Sequence, residues 1–207
     1  PDKIAIQANV LDQNPDAGFV YSDVYEFKGD NKNDFYINNA VASDKKPEEF
    51  PEAFFLEPNV RIPSVLIRRR CLEETGLFDE ALAQHEDGDL LLRLALKKSA
   101  RFSDYPSAWV RTHSQNMSLD RVEMYRSIIQ STLKILNANR SFKSRLGPKA
   151  DERLSELYFL LGKELLDKKL LKDVPQIFTE SRRYSGKYCT FSSVIKEFIK
   201  TFLKAFR

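Results

Sequence analysis

The sequence predicts an α/β fold followed by an all-α region, and three observations carry that prediction. Up to about residue 120, short apolar or alternating runs lie between Gly, Pro, Asn and Asp punctuation, the pattern of strands, turns and brief helices. From Arg121 onward apolar residues recur at three-and-four spacing, and only helices are read. The charge changes at the same place. Fourteen basic and 21 acidic residues run through Asp120, then 19 basic and 9 acidic, so the net charge of +3 conceals −7 followed by +10. These shifts divide the chain into regions 1–118 and 119–207.

Taken in order, Ile4, Ala8 and Leu11 make a helical stripe, Asn14-Pro15-Asp16 breaks it, and 18–27 reads as a strand. The stretch 28–59 is polar and aromatic without clear period, the texture of a binding loop. Within it Phe50, Phe54 and Phe55 are more often core than a sugar platform. Residues 65–68 form a strand that should be buried. The basic run Arg68-Arg69-Arg70 fits a solvated strand end better than a phosphate cluster.

The run 76–95, GLFDEALAQHEDGDLLLRLA, is the most informative. Leu90, Leu91, Leu94 and Ala95 share one helix face, whereas Asp89, Arg93 and Lys97 can turn outward, so a helix starts near Asp87. Read alone, the pair Glu86-Asp87 is more often a cap than a catalytic group, because side-chain oxygens there accept unpaired backbone N–H groups and negative charge suits the positive dipole end. Asp87-Gly88-Asp89 also imitates a metal-binding D-x-D. That triplet should end a buried apolar strand, and here mixed polar residues precede it and a helix follows, so it is rejected as a metal site.

The wider string SVLIRRRCLEETGLFDEALAQHEDGDLLLRLA, followed by VRTHSQNMS, resembles the second half of family 2 glycosyltransferases, which have the GT-A fold. A strand ending in basic residues, a short helix, a Gly-x-Phe-Asp-Glu turn, a Glu-Asp pair opening a helix and an Arg-x-His segment occur in the family's order. The resemblance covers about residues 1–118 and implies a partial GT-A sandwich. It makes Asp87 the candidate general base, which takes the proton from an acceptor hydroxyl as that oxygen attacks the anomeric carbon of a nucleotide sugar, with inversion. Glu86 would shape that site, Arg111 and His113 would lie near the departing diphosphate or its metal, and Asn59, Arg61 and Ser64 would border the acceptor.

No other D-x-D, Gly-rich phosphate loop or nucleotide-binding strand-helix-strand pattern is found, so the donor-binding half is expected to precede Pro1, which reads as a cut point. The resemblance implies a divalent cation, Mg or Mn, in the full-length enzyme. This fragment requires none, and only His113 within it is a candidate ligand. Its implied substrates are a nucleotide sugar and a glycan, lipid-linked or protein acceptor.

In the second region a helix over about 121–139 starts with Asp120 and Glu123 at capping-box spacing and carries Val122, Tyr125, Ile129, Leu133 and Leu136 on one face. Gly147-Pro148 ends the connection. Helices over about 149–169 and from Asp173, with Pro175 in its first turn, resemble one degenerate tetratricopeptide hairpin that includes Gly162. A last amphipathic helix over 193–206 sets Val194, Phe198, Phe202 and Ala205 against Lys196, Lys200 and Lys204. It can dock on the preceding helices or lie on an anionic membrane surface.

At 42% hydrophobic and 30% charged residues, the composition is that of a globular chain. No apolar stretch has membrane-spanning length and no secretory signal opens the chain. Cys71 and Cys189 form no metal or redox spacing, so a reducing cytoplasmic compartment, with peripheral contact at the inner membrane face, is the expected setting. Scattered basic residues without a recognition motif argue against nucleic acid. Oligomerisation stays open. The alternative to an enzyme fragment is a non-catalytic module whose helical tail serves a protein or membrane surface.

Overall fold

A computed structural model of the chain describes residues 2–29, 35–38, 40, 46–113, 120–185, 187, 188, 190, 193, 194, 196 and 197. Two compact units are present, one of residues 1–80 with 86–116 and the other of 81–85 with 117–207. The first is mixed α/β, as expected of part of a GT-A sandwich, and the second is helical.

In the first unit β1 (Ala17–Lys28) is the central strand. β4 (Ser99–Thr112) runs parallel to it along nearly its whole length and takes one edge. The other edge is shared by two antiparallel partners, β3 (Leu66–Ile67) near the start of β1 and β2 (Phe35–Asn38) near its end. A parallel neighbour requires a crossover. The chain supplies it through α3 (Arg69–Thr75) and α4 (Glu86–Ala95). β4 goes unnoticed in the sequence because Asp104 and Pro106 interrupt its alternation. Residues 104–107 bulge out between the pairs Ser22–Ser103 and Val24–Ala108, which is where a strand tolerates proline.

Side chains alternate across a strand, so β1 presents two faces. On one, Phe19 and Tyr21 meet Phe50 of α2 (Phe50–Leu56) at ring-centroid distances of 5.6 and 4.8 Å, and Phe50 stacks on Phe54 at 5.3 Å. Phe50, Phe54 and Phe55 are core. Each such burial contributes about 1.5–3 kcal/mol relative to exposure. The stretch 28–59 therefore holds β2 and α2 rather than one irregular loop. Residues 30–34, 39 and 41–45 of it lie outside the described residues.

On the opposite face α1 (Lys3–Gln13) packs Leu11 against Ala17 and Val20. The expected stripe is corrected here. Ile4 is 58% exposed and Gln7 takes the buried position, since its Nε2 donates to the Ser64 carbonyl at 2.7 Å. β3 is also shorter than expected and only half-buried. Arg68, at its end, is neither phosphate-facing nor merely solvated. Its Nε donates to the Ala17 carbonyl at 2.9 Å and its Nη2 to the Leu11 carbonyl at 2.6 Å, satisfying groups where α1 turns into β1. Gly18 stands where β1 passes the α4–β4 connection: a Cβ there would lie 2.5 Å from the Cβ of Lys98, so a side chain cannot fit without backbone movement.

The helical unit contains α5 (Arg121–Ala138), α6 (Arg140–Leu146), α7 (Pro148–Asp167) and α8 (Val174–Tyr184). Asp120 caps α5 by accepting from the Glu123 N–H. α6 was not anticipated, since seven residues are too few for a period to be read. α5, α7 and α8 enclose Val122, Tyr125, Ile129, Leu157, Leu161, Leu165 and Phe178. α7 and α8 approach closely at Gly162, where an added Cβ would meet the Phe178 ring at 2.6 Å. Most of the amphipathic stretch 193–206 lies outside the described residues. Val194 packs on this core.

Candidate functional site

α4 opens on Glu86, so Glu86 and Asp87 occupy its first turn and do not precede it. His85, immediately before, has φ 63, a left-handed conformation uncommon for a residue with a side chain. Acidic residues at this end are favoured by the helix dipole. The three acids of the turn nonetheless differ sharply. Glu86 and Asp87 are half-buried, and among the described residues Asp87 makes one hydrogen bond, its Oδ1 accepting from the Gly88 N–H at 2.7 Å. Its Oδ2 is left for another partner.

Asp89 does not turn outward as the pattern suggested. It is 1% exposed, and its Oδ2 accepts from Arg93 Nε at 2.7 Å. Arg93 completes the link by donating to the carbonyls of Thr75 and Leu77 at 3.1 and 2.7 Å. The pair fastens α4 to the end of α3 and to the Gly-Leu-Phe-Asp-Glu turn, which makes it structural. Two residues apart on a helix, Asp87 and Asp89 point about 200° from one another, so they do not converge as a strand-borne D-x-D would.

The turn itself leaves Leu77 69% and Phe78 51% exposed, bordering an apolar cleft with Ile62, Leu66, Ile67 and Leu72. With so few polar groups, that cleft does not suit a nucleotide sugar.

Arg111 and His113 lie at the exposed end of β4. Register pairs Arg111 with Phe27 and Thr112 with Lys28, and the Gly29 N–H donates to the Thr112 carbonyl at 3.0 Å, which fixes this end of the strand. α2 covers the Phe19–Tyr21 face and α4 packs against α2. Arg111, paired with Phe27, belongs to that same face. α4 thus packs against the helix that covers the face to which Arg111 belongs.

The acceptor candidates divide differently. Arg61 pairs with the buried Glu26 at 2.8 Å, and Glu26 lies on the opposite face from Arg111. Ser64 is fully buried, with its hydroxyl donating to the Arg61 carbonyl at 2.8 Å and its own carbonyl accepting from Gln7, so it has no surface to offer a ligand. Asn59 is half-buried in the connection between α2 and β3. Glu26 escaped notice in the sequence. A glutamate at an alternating strand position ordinarily reads as solvent-facing, and only the distant Arg61 reveals its burial.

A cation finds no ready seat in these residues. Asp89 is committed to Arg93, and among the described residues no three His, Cys, Asp or Glu side chains converge.

No helix of the described residues is long and apolar enough to cross a membrane. No curated protein and no solved structure matches the chain. A family model described as glycosyltransferase like family 2 matches residues 2–153, which include the acidic helix start, the Arg-x-His strand end and the first two helices of the helical unit. The order of those elements, the position of Glu86-Asp87 within them and the extent of this match agree: the chain belongs to the family 2-like glycosyltransferases.

Proposed function

We propose that this chain is the acceptor-side, base-bearing part of an inverting glycosyltransferase, with Asp87 as the general base. The observation that supports it best is the contrast within one helical turn. Asp89 is buried and spent on Arg93, whereas Asp87 is half-exposed with one oxygen held by the Gly88 N–H and the other open. A carboxylate so oriented can accept the proton of an incoming hydroxyl. The hydroxyl oxygen then bonds to the anomeric carbon as the bond from that carbon to the diphosphate oxygen breaks, and the configuration inverts.

Arg111 and His113, at the end of β4, suit the charge that collects on the departing diphosphate. Glu86 flanks Asp87 and shapes the approach. Of the acceptor residues, Asn59 stays in the proposal, whereas Arg61, bound to Glu26 on the face opposite Arg111, and the buried Ser64, whose hydroxyl donates to the Arg61 carbonyl, leave it. The nucleotide sugar and the Mg or Mn ion are proposed for the full-length enzyme. His113 is the one residue proposed here as a ligand of the ion, and no step is assigned to it. The helical region 119–207 is proposed as a flanking domain, with 193–206 as its surface for contact with the cytoplasmic face of a membrane.

The test is nucleotide-sugar turnover by the full-length parent, wild type against Asp87→Asn. The variant is expected to lose at least about a hundredfold in rate, the scale of a removed general base. Equal rates, or no turnover by either protein, would count against the reading.

A further inference from the structure

The face of the sheet that carries Arg111 also carries aromatic surface that the core does not use. Tyr25 of β1 is in register with Trp109 of β4 and with Ile37 of β2, and Phe27 with Phe35. Paired residues share a face, so these side chains line up across three strands. The Tyr25 and Trp109 rings stack at 4.6 Å with 27° between their planes, and Phe35 meets both edge-on, at 5.0 Å from Trp109 and 5.3 Å from Tyr25. Such packing should be buried, yet Trp109 is 48%, Phe35 47% and Ile37 49% exposed. Exposed apolar patches of this kind mark interaction sites.

We infer that Tyr25, Phe35 and Trp109 form a stacking platform for a saccharide chain, leading to the Arg111 end of β4. The occupant follows from the chemistry of the patch. Aromatic rings offer a negative π face, and the C–H groups on one side of a pyranose ring meet it while the hydroxyls stay wet. The three rings brace one another, so little rotamer freedom is lost when a sugar lands. Tyr25 covers one face of the indole, which makes an open shelf and not the two-sided slot that a nucleobase takes. The connection from β1 to β2 carries Asp30 and Asp34 against Lys32 in sequence, a balance that does not attract an anionic bilayer. Trp109 and Arg111 are two residues apart on one strand, so the shelf is continuous with the end of β4 assigned above to the diphosphate. Naming the saccharide as the acceptor rests on the proposed function. Its binding does not.

Trp109 is the single tryptophan of the 207 residues, so emission excited at the red edge of the absorption band, where the eight tyrosines do not absorb, reports on this shelf alone. The 207-residue chain is titrated with cellohexaose, chitohexaose and maltohexaose, and separately with uridine monophosphate and with dioleoylphosphatidylglycerol vesicles. A saturable change in Trp109 emission with one or more of the oligosaccharides is expected, weakened at least about tenfold in Phe35→Ala, which removes an exposed edge-strand ring. The inference is overturned if none of the three oligosaccharides alters the emission. An equal affinity in Phe35→Ala, or a response confined to the nucleotide or the vesicles, overturns it as well. In the full-length parent, Phe35→Ala should raise the acceptor KM more than it lowers kcat, whereas Asp87→Asn should lower kcat. An oligosaccharide response together with an active Asp87→Asn would sink the base assignment and keep the shelf.

Discussion

At the residue scale, two aspartates separated by one glycine do different work. Asp87 is open and lightly tethered, so Asp87→Asn should change thermal stability by less than about 0.5 kcal/mol, as surface substitutions do. Asp89→Asn leaves the Arg93 guanidinium facing a neutral amide in a buried position, and its expected cost is about 2–4 kcal/mol. Urea unfolding of the two variants distinguishes them, and equal midpoints would refute the division. The helical period showed that α4 begins at this pair. It could not show which acid is inside, because Asp89 is held by Arg93, whose other bonds run to the carbonyls of Thr75 and Leu77, 18 and 16 positions back from it along the chain. Glu26 was hidden for the same reason, its partner Arg61 lying 35 positions away.

At the element scale, what the sequence disclosed follows local pattern strength. α5, α7 and α8 have strong apolar faces and cap or proline signals, and each lies within a few residues of its expected span. β4 was not foreseen, since its bulge and Pro106 scramble the alternation, and α6 is too short to show a period. Gly162 has the clearest consequence at this scale. Its resemblance to a helical-repeat glycine has a physical basis, because the Phe178 ring occupies the space where a Cβ would be. Gly162→Ala gains about 1 kcal/mol of helix propensity and must displace that ring, an overpacking cost of about 1–3 kcal/mol. The net expectation is a lower urea midpoint. In a Phe178→Leu background the same substitution should become neutral or stabilising, which separates overpacking from any other effect. A single sign in both backgrounds would rule this account out.

At the scale of the whole molecule, the charge switch near residue 120 lies close to the division between the units, and the family match runs across it to residue 153. The inclusion of 81–85 in the helical unit was not legible. Within that unit the Gln84 N–H donates to Ser127 Oγ at 3.2 Å, and nothing in the local sequence signals such a tertiary bond. Each unit also holds carboxylates kept below their ordinary range. In the first, hydrogen bonds from Ser99 and then the Arg101 charge lower Asp16, and Lys98 lowers Glu74. In the second, Lys168 and the capped Glu123 N–H lower Asp120. A carboxylate whose folded pKa is depressed contributes stability above its unfolded value, and that contribution is lost as pH falls through the folded one. Both units should therefore weaken below the ordinary range of these groups, near 3.8 for the aspartates and 4.5 for Glu74. Since all three side chains are exposed to solvent, the loss should shrink in high salt. Urea midpoints measured between neutral pH and about pH 3, with Asp16→Asn and Asp120→Asn beside the wild type, provide the check. Each substitution should flatten the acid limb, and a wild-type midpoint independent of pH over that range would show that these ion pairs contribute nothing to the fold.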